Sequence, residues 1–192
     1  MNELIKKINR IEKSYFNFSD LRKITDLDDA SLRVTVSRMI KSGEIISINK
    51  GYYKLPEAIL DLPKITLEIY APSYLSFEWA LGQNGILSQK TYSLTLATTK
   101  RARQININDT NIIYRHIQQN LFFGYILKEG YLIAEPEKAF LDLAYLSLNG
   151  YANFDVEEMN LEVLDKKKIK MYLKKFNSKK LEQMIARLAI LS

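Results

Sequence analysis

Cysteine is absent from this chain, and histidine occurs once, at His116. Without thiols there is no disulfide framework, no thiolate nucleophile and none of the usual structural zinc sites, and one imidazole is a poor start for any other metal centre. His116 stands among apolar neighbours in IIYRHI and reads as a strand residue rather than a ligand. Long hydrophobic runs are missing too. No apolar stretch approaches the roughly 20 residues that span a bilayer, and the N-terminal MNELIKKINRIEK is amphipathic, so a cytoplasmic protein with no membrane partner is expected. GxGxxG, the phosphate-binding GxxxxGK and HExxH do not occur, which removes several nucleotide, cofactor and metal classes. The expectation is therefore no catalytic residue, no metal and no cofactor.

What is present is enough to fold. Of 192 residues, 47% are hydrophobic, sufficient for real cores and comfortable for two domains. The net charge of +6 is unevenly spread. Residues 1–56 carry 11 Lys+Arg against 7 Asp+Glu, residues 57–164 carry 8 against 13, and residues 165–192 carry 9 against 2. A basic, acidic, basic chain offers its ends to nucleic acid and its middle to a different partner.

The most informative stretch is DDASLRVTVSRMIKSGEIISINKGYYKL, residues 28–55. It predicts a helix, a stop at Ser42 and Gly43, and two short strands joined through Asn49, Lys50 and Gly51. Leu32, Val36, Met39 and Ile40 form an inward stripe, while Ser31, Val34, Ser37, Arg38 and Lys41 form an outward face without a carboxylate. Leu4, Ile5, Ile8, Ile11 and Tyr15 predict a preceding helix, and the capping residues before LRKI predict a second one from Ser19 to before Asp26. Three helices and a hairpin in that order are the arrangement of a winged helix-turn-helix over residues 1–56, with Ser31, Arg33, Ser37, Arg38, Lys41 and Lys50 as its DNA contacts. The plainer alternative is a small helical domain whose lysines serve solubility.

Pro56 and Pro63 mark a boundary. Beyond it the pattern predicts a strand over 65–70, a helix opening at Pro72, strands over 92–98, 104–107, 111–117, 121–127 and 131–134, and a helix from Glu135 in EPEKAFLDLAYLSL. Glu135, Glu137 and Asp142 are the nearest approach to a carboxylate cluster, and the helix dipole accounts for them. The loop Thr98 to Arg103 suits a phosphate, bulk water or a partner. From Asp165 two helices are predicted, the first with Ile169, Tyr172, Leu173 and Phe176 on one face amid six lysines. Lys167, Lys170 and Lys174 are a secondary basic surface for DNA, for an acidic protein or for solubility. The fold class is thus α+β: a winged helix at 1–56, an α/β domain at 64–148, and a lysine-rich helical region at 149–192.

The second domain carries a resemblance. Tyr70 to Ser76 (YAPSYLS), Trp79 to Leu81 with Gly85 and Ile86, Thr98 to Arg101, and Ala134 to Ala139 followed by Leu141 to Leu143 resemble, in order and spacing, the AbiEi antitoxin family of bacterial type IV toxin-antitoxin systems, the abortive infection E kind. The resemblance covers about residues 15–148. It implies an antitoxin and transcriptional repressor of its own operon, with double-stranded operator DNA as one partner and a cognate nucleotidyltransferase-like toxin as the other, countered with or without a stable complex. The alternatives are a free-standing winged-helix regulator whose second domain senses a ligand or dimerises, and, more distantly, a nucleic-acid-processing enzyme.

Overall fold

The computed structural model describes residues 3–11, 13–88 and 92–188, so residues 1, 2 and 12 of the amphipathic N-terminal stretch lie outside the described residues. The fold is α+β: helices, then sheet, then helices. The chain forms two compact units, residues 1–65 and 66–192. No helix among the described residues is long and apolar enough to cross a membrane.

The first unit runs α1 (Glu3–Ile8), β1 (Phe16–Asn17), α2 (Phe18–Lys23), α3 (Asp29–Lys41), β2 (Ile46–Asn49) and β3 (Tyr52–Lys54). Leu4, Ile5 and Ile8 of α1 pack with Phe16, Leu21, Leu32, Val36, Met39 and Ile45 in one core. The first helix is shorter than predicted. It ends at Ile8, and Tyr15 is buried from the loop before β1 instead of from a helix face. A reciprocal capping box of Asn17 and Asp20 starts α2, each side chain accepting from the other's backbone amide. Asp28 caps α3 by accepting from the Ser31 amide. Ser42 closes that helix, and Gly43 follows at φ 75°, where a side chain would be strained. The sheet is antiparallel in the order β1-β3-β2, and β1 was not foreseen, because two residues carry no periodicity.

In the second unit a mixed six-stranded sheet takes the order β6-β7-β5-β4-β9-β8. Its strands are β4 (Ser73–Leu75), β5 (Ser93–Thr98), β6 (Arg103–Ile107), β7 (Thr110–His116), β8 (Tyr125–Lys128) and β9 (Tyr131–Ala134). The helices are α4 (Leu62–Ile69), in which the boundary between units falls, α5 (Phe77–Gln83), α6 (Pro136–Ser147), α7 (Lys166–Phe176) and α8 (Lys179–Arg187). Two predictions are reversed here. Residues 65–69 are helical, not extended, and Tyr70 follows in a turn, because Leu62, Ile65 and Ile69 recur at helical spacing and Pro63 sits in the first turn, where its missing amide is harmless. Residues 73–75 form a strand, not the start of a helix, and α5 begins only after Ser76. The expected strand over 121–127 is also broken, by a 3-10 turn at Gln119–Leu121 and by Gly124 at φ 71°.

The helix α6 departs from its expected single face. Nine of its residues, Glu137 to Ala144 and Leu146, are buried, because α5, α7 and β9 all pack against it. Residues 149–192, set apart by the sequence, contribute α7 and α8 to this unit, with Ile169, Tyr172, Leu173 and Phe176 of α7 turned inward. Leu181 and Ile185 of α8 are buried too.

Candidate functional site

On α3 the exposed surface is set by the 3.6-residue repeat. Leu32, Val36 and Met39 take the core side, so Val34, Ser37, Arg38 and Lys41 face solvent. Ile40, predicted inward, is 37% exposed, since it lies on the flank of the stripe that Met39 already fills. Val34 is half exposed amid donors, a small apolar group of the kind that contacts a thymine methyl. Lys50 occupies the β2–β3 turn, exposed, beside Gly51 at φ 81°.

Two predicted contacts are held by the protein itself. The Ser31 hydroxyl donates to Asp28 at 3.0 Å as part of the helix cap. That cap holds the Asp28 carboxyl below its ordinary value, first through the Ser31 amide and then through the Ser31 hydroxyl. The Arg33 guanidinium lies 5.3 Å over the Phe18 ring of α2. The arrangement that remains is a cationic, donor-rich helix face with one aliphatic contact, suited to phosphates and base edges.

The second unit hides a polar cluster that the sequence reading missed. Lys138 and Asp142, one turn apart on α6, are both fully buried and form an ion pair. The Tyr74 hydroxyl donates to Asp142 at 2.8 Å and accepts from Lys138 at 2.8 Å, and the Ser76 hydroxyl donates to Asp142 at 2.9 Å. The rings of Tyr74, Phe123 and Phe176 stand 4.9 to 5.4 Å from the ammonium. Burial pushes the Asp142 carboxyl up and the Lys138 ammonium down, while their mutual attraction opposes both shifts. Burial, and then the Asp142 charge, raises the Tyr74 phenol well above its usual value. Local geometry aims these groups. Phe77 adopts φ 57°, and the Thr95 hydroxyl donates to the Ser76 carbonyl at 2.7 Å, which together turn the chain from β4 into α5 with Ser76 facing α6. Gly124 leaves room for the lysine stem, since a Cβ there would meet the Lys138 side chain at 3.0 Å.

The other two carboxylates of α6 tie down the C-terminal helices. Glu137 is buried, with one oxygen accepting the Asp165 amide at 3.0 Å and the other without a hydrogen bond at the helix amino end, where the dipole favours its charge. Glu135 accepts from Lys168 at 2.7 Å and from the Tyr172 hydroxyl. Burial acts to raise the Glu135 carboxyl, but those hydrogen bonds and the Lys168 charge outweigh it and hold the group below the ordinary glutamate range. The stability this contributes is present above that range and is lost as pH falls through the depressed value. Amide protection in α7 should therefore weaken on acidification in the wild type and become less sensitive to acid in Glu135→Gln. Hydrogen exchange read as protection factors at several pH values tests this, and an equally acid-sensitive variant would refute it. Of the α7 lysines, Lys168 is thus spent on the fold and Lys175 lies over Phe123, whereas Lys167, Lys170 and Lys174 are exposed at one helical face.

A groove of about 830 Å³ lies where β6, the end of β7 and the end of α6 meet. Arg103, His116, Tyr145 and Tyr151 line it together with the apolar Ile113 and Leu146. No family model matches this chain, and no curated protein matches it.

Proposed function

We propose that the chain is an antitoxin of a bacterial type IV toxin-antitoxin pair, acting in the cytoplasm. In this reading the first unit is a winged helix-turn-helix that binds double-stranded operator DNA and represses its own operon. The second unit counters a nucleotidyltransferase-like toxin. The observation that carries the DNA-binding half is the α3 face, where Ser37, Arg38 and Lys41 are exposed with no carboxylate among them. The antitoxin half rests on the resemblance to the AbiEi family. Its support in the fold is that two of the stretches that carry the resemblance supply all four polar members of one buried cluster, Tyr74 and Ser76 from the first, Lys138 and Asp142 from the second. The negative balance of residues 57–164 further argues for a protein rather than a nucleic-acid partner for that unit.

A chain of residues 57–192 keeps α4 and everything after it. It should still rescue cells that express the cognate toxin while losing operator binding. If it is folded by circular dichroism and expressed, yet fails to rescue, the division of labour is wrong. The groove in the second unit favours a second reading, a free-standing regulator that senses a ligand, and such a protein would rescue nothing in either form.

A further inference from the structure

The groove at the end of β7 brings three kinds of group together within a region of net negative charge. It is lined by Arg103 and His116, by the amides Gln104, Gln118 and Asn149, and by Tyr145 and Tyr151, with no carboxylate among its lining residues. Residues 57–164 as a whole carry five more acidic than basic groups. Its volume of about 830 Å³ falls in the range of small-molecule sites, roughly 300–1,000 Å³.

Some of these lining groups have hydrogen-bonding capacity left, and others are already engaged by the protein. The His116 Nδ1 lies 2.9 Å from the Lys100 carbonyl oxygen, which can only accept, so Nδ1 carries a proton, and Nε2, with no protein partner among the described residues, donates to an anion when the ring is in its imidazolium form. The Arg103 guanidinium carbon lies 5.4 Å from the centre of the Tyr70 ring, and its N–H groups make no ion pair among the described residues, which leaves them for an anion. Arg115, the other cation of the lining, is already committed to Glu78 at 2.7 Å. Tyr145 is anchored, its hydroxyl accepting from Gln118 at 3.3 Å and its ring tilted against Phe176. Tyr151, by contrast, is 74% exposed at the rim, a large aromatic face without packing to explain it.

An anionic group, a planar ring and a hydrogen-bonding edge are what these residues would take together. We propose that this groove binds a mononucleotide, with its phosphate at Arg103 and His116, its base against Tyr151 and Tyr145, and its edge toward the amides. The site belongs to the second unit alone and stands whether the chain is an antitoxin or a regulator.

Calorimetric titration of the full-length chain with AMP, CMP, ribose 5-phosphate, adenosine, inorganic phosphate and a six-nucleotide RNA tests it. At least one of AMP and CMP should bind at one equivalent, with ribose 5-phosphate, adenosine and phosphate each at least about tenfold weaker, because stacking and the charge-assisted contacts each contribute on that scale. His116→Asn keeps an amide able to donate to the Lys100 carbonyl and removes Nε2, and Tyr151→Ala alters only an exposed ring. Each should weaken the nucleotide about tenfold while circular dichroism and the melting temperature stay unchanged. The proposal is overturned if neither nucleotide binds at about 1 mM, far above the affinities such sites reach. It is equally overturned if phosphate alone binds as well, if only the RNA binds, or if both variants bind as the wild type does.

Discussion

Alanine at position 142 should destabilise the second unit by about 3–5 kcal/mol, as removal of one partner from a buried ion pair does. The Lys138 ammonium would be left without its counter-charge in a shell of aromatic rings, and the hydroxyls of Tyr74 and Ser76 would lose their acceptor. The double variant Lys138→Met, Asp142→Leu removes both charges at similar volume. It should recover most of the loss, and Tyr74→Phe added to it should recover more, because an orphaned buried hydroxyl is itself unfavourable. Urea unfolding of the set gives the coupling directly. A loss of under about 1 kcal/mol for Asp142→Ala would mean that the cluster does not hold its charge as drawn. If the apolar variants fold stably yet no longer rescue cells from the toxin, the cluster serves the second unit's action and not its stability alone.

The largest functional loss is expected on α3. Arg38→Ala with Lys41→Ala should weaken operator binding by about 2–4 kcal/mol, roughly thirty- to a thousandfold, if Arg38 reads a guanine and Lys41 holds a phosphate. Stability should barely change, since both side chains are exposed. Lys50→Ala should act differently, weakening all sequences alike and lowering the salt slope by about one. Ser31→Ala and Arg33→Ala should cost operator affinity less than the double variant, because the protein already engages those groups through Asp28 and Phe18. Fluorescence anisotropy with operator and scrambled duplexes across a salt series separates these outcomes. Wild-type binding by the double variant would remove α3 as the reading helix.

What could be read in advance was what depends on near neighbours. The α3 stripe of Leu32, Val36 and Met39, the inward face of α7, the proline-led start of α6 and the bounds of β9 all follow from side-chain period and capping chemistry within a single element. The α4 segment misled because its β-branched residues argue for a strand locally, and only its apolar spacing argues for the helix that forms. Ser73–Leu75 misled for the opposite reason: three residues become a strand only because β5 and β9 lie on either side of them. Lys138 and Asp142 stand four apart, the spacing of an ordinary surface pair. Burial makes them something else, and burial is decided by residues 64 to 68 positions earlier in the chain.

The sequence by itself determined the α+β class, the three-part charge distribution with basic ends and an acidic middle, and the exposed cationic face of α3, because charge and periodicity are local properties of the chain. Only the tertiary structure decided that Lys138 and Asp142 are buried, that Glu135 secures α7, and that Arg103, His116, Tyr145 and Tyr151 share a groove. Those groupings join strands and helices tens of residues apart, and no local preference encodes which distant surfaces will meet when the sheet order is set by packing.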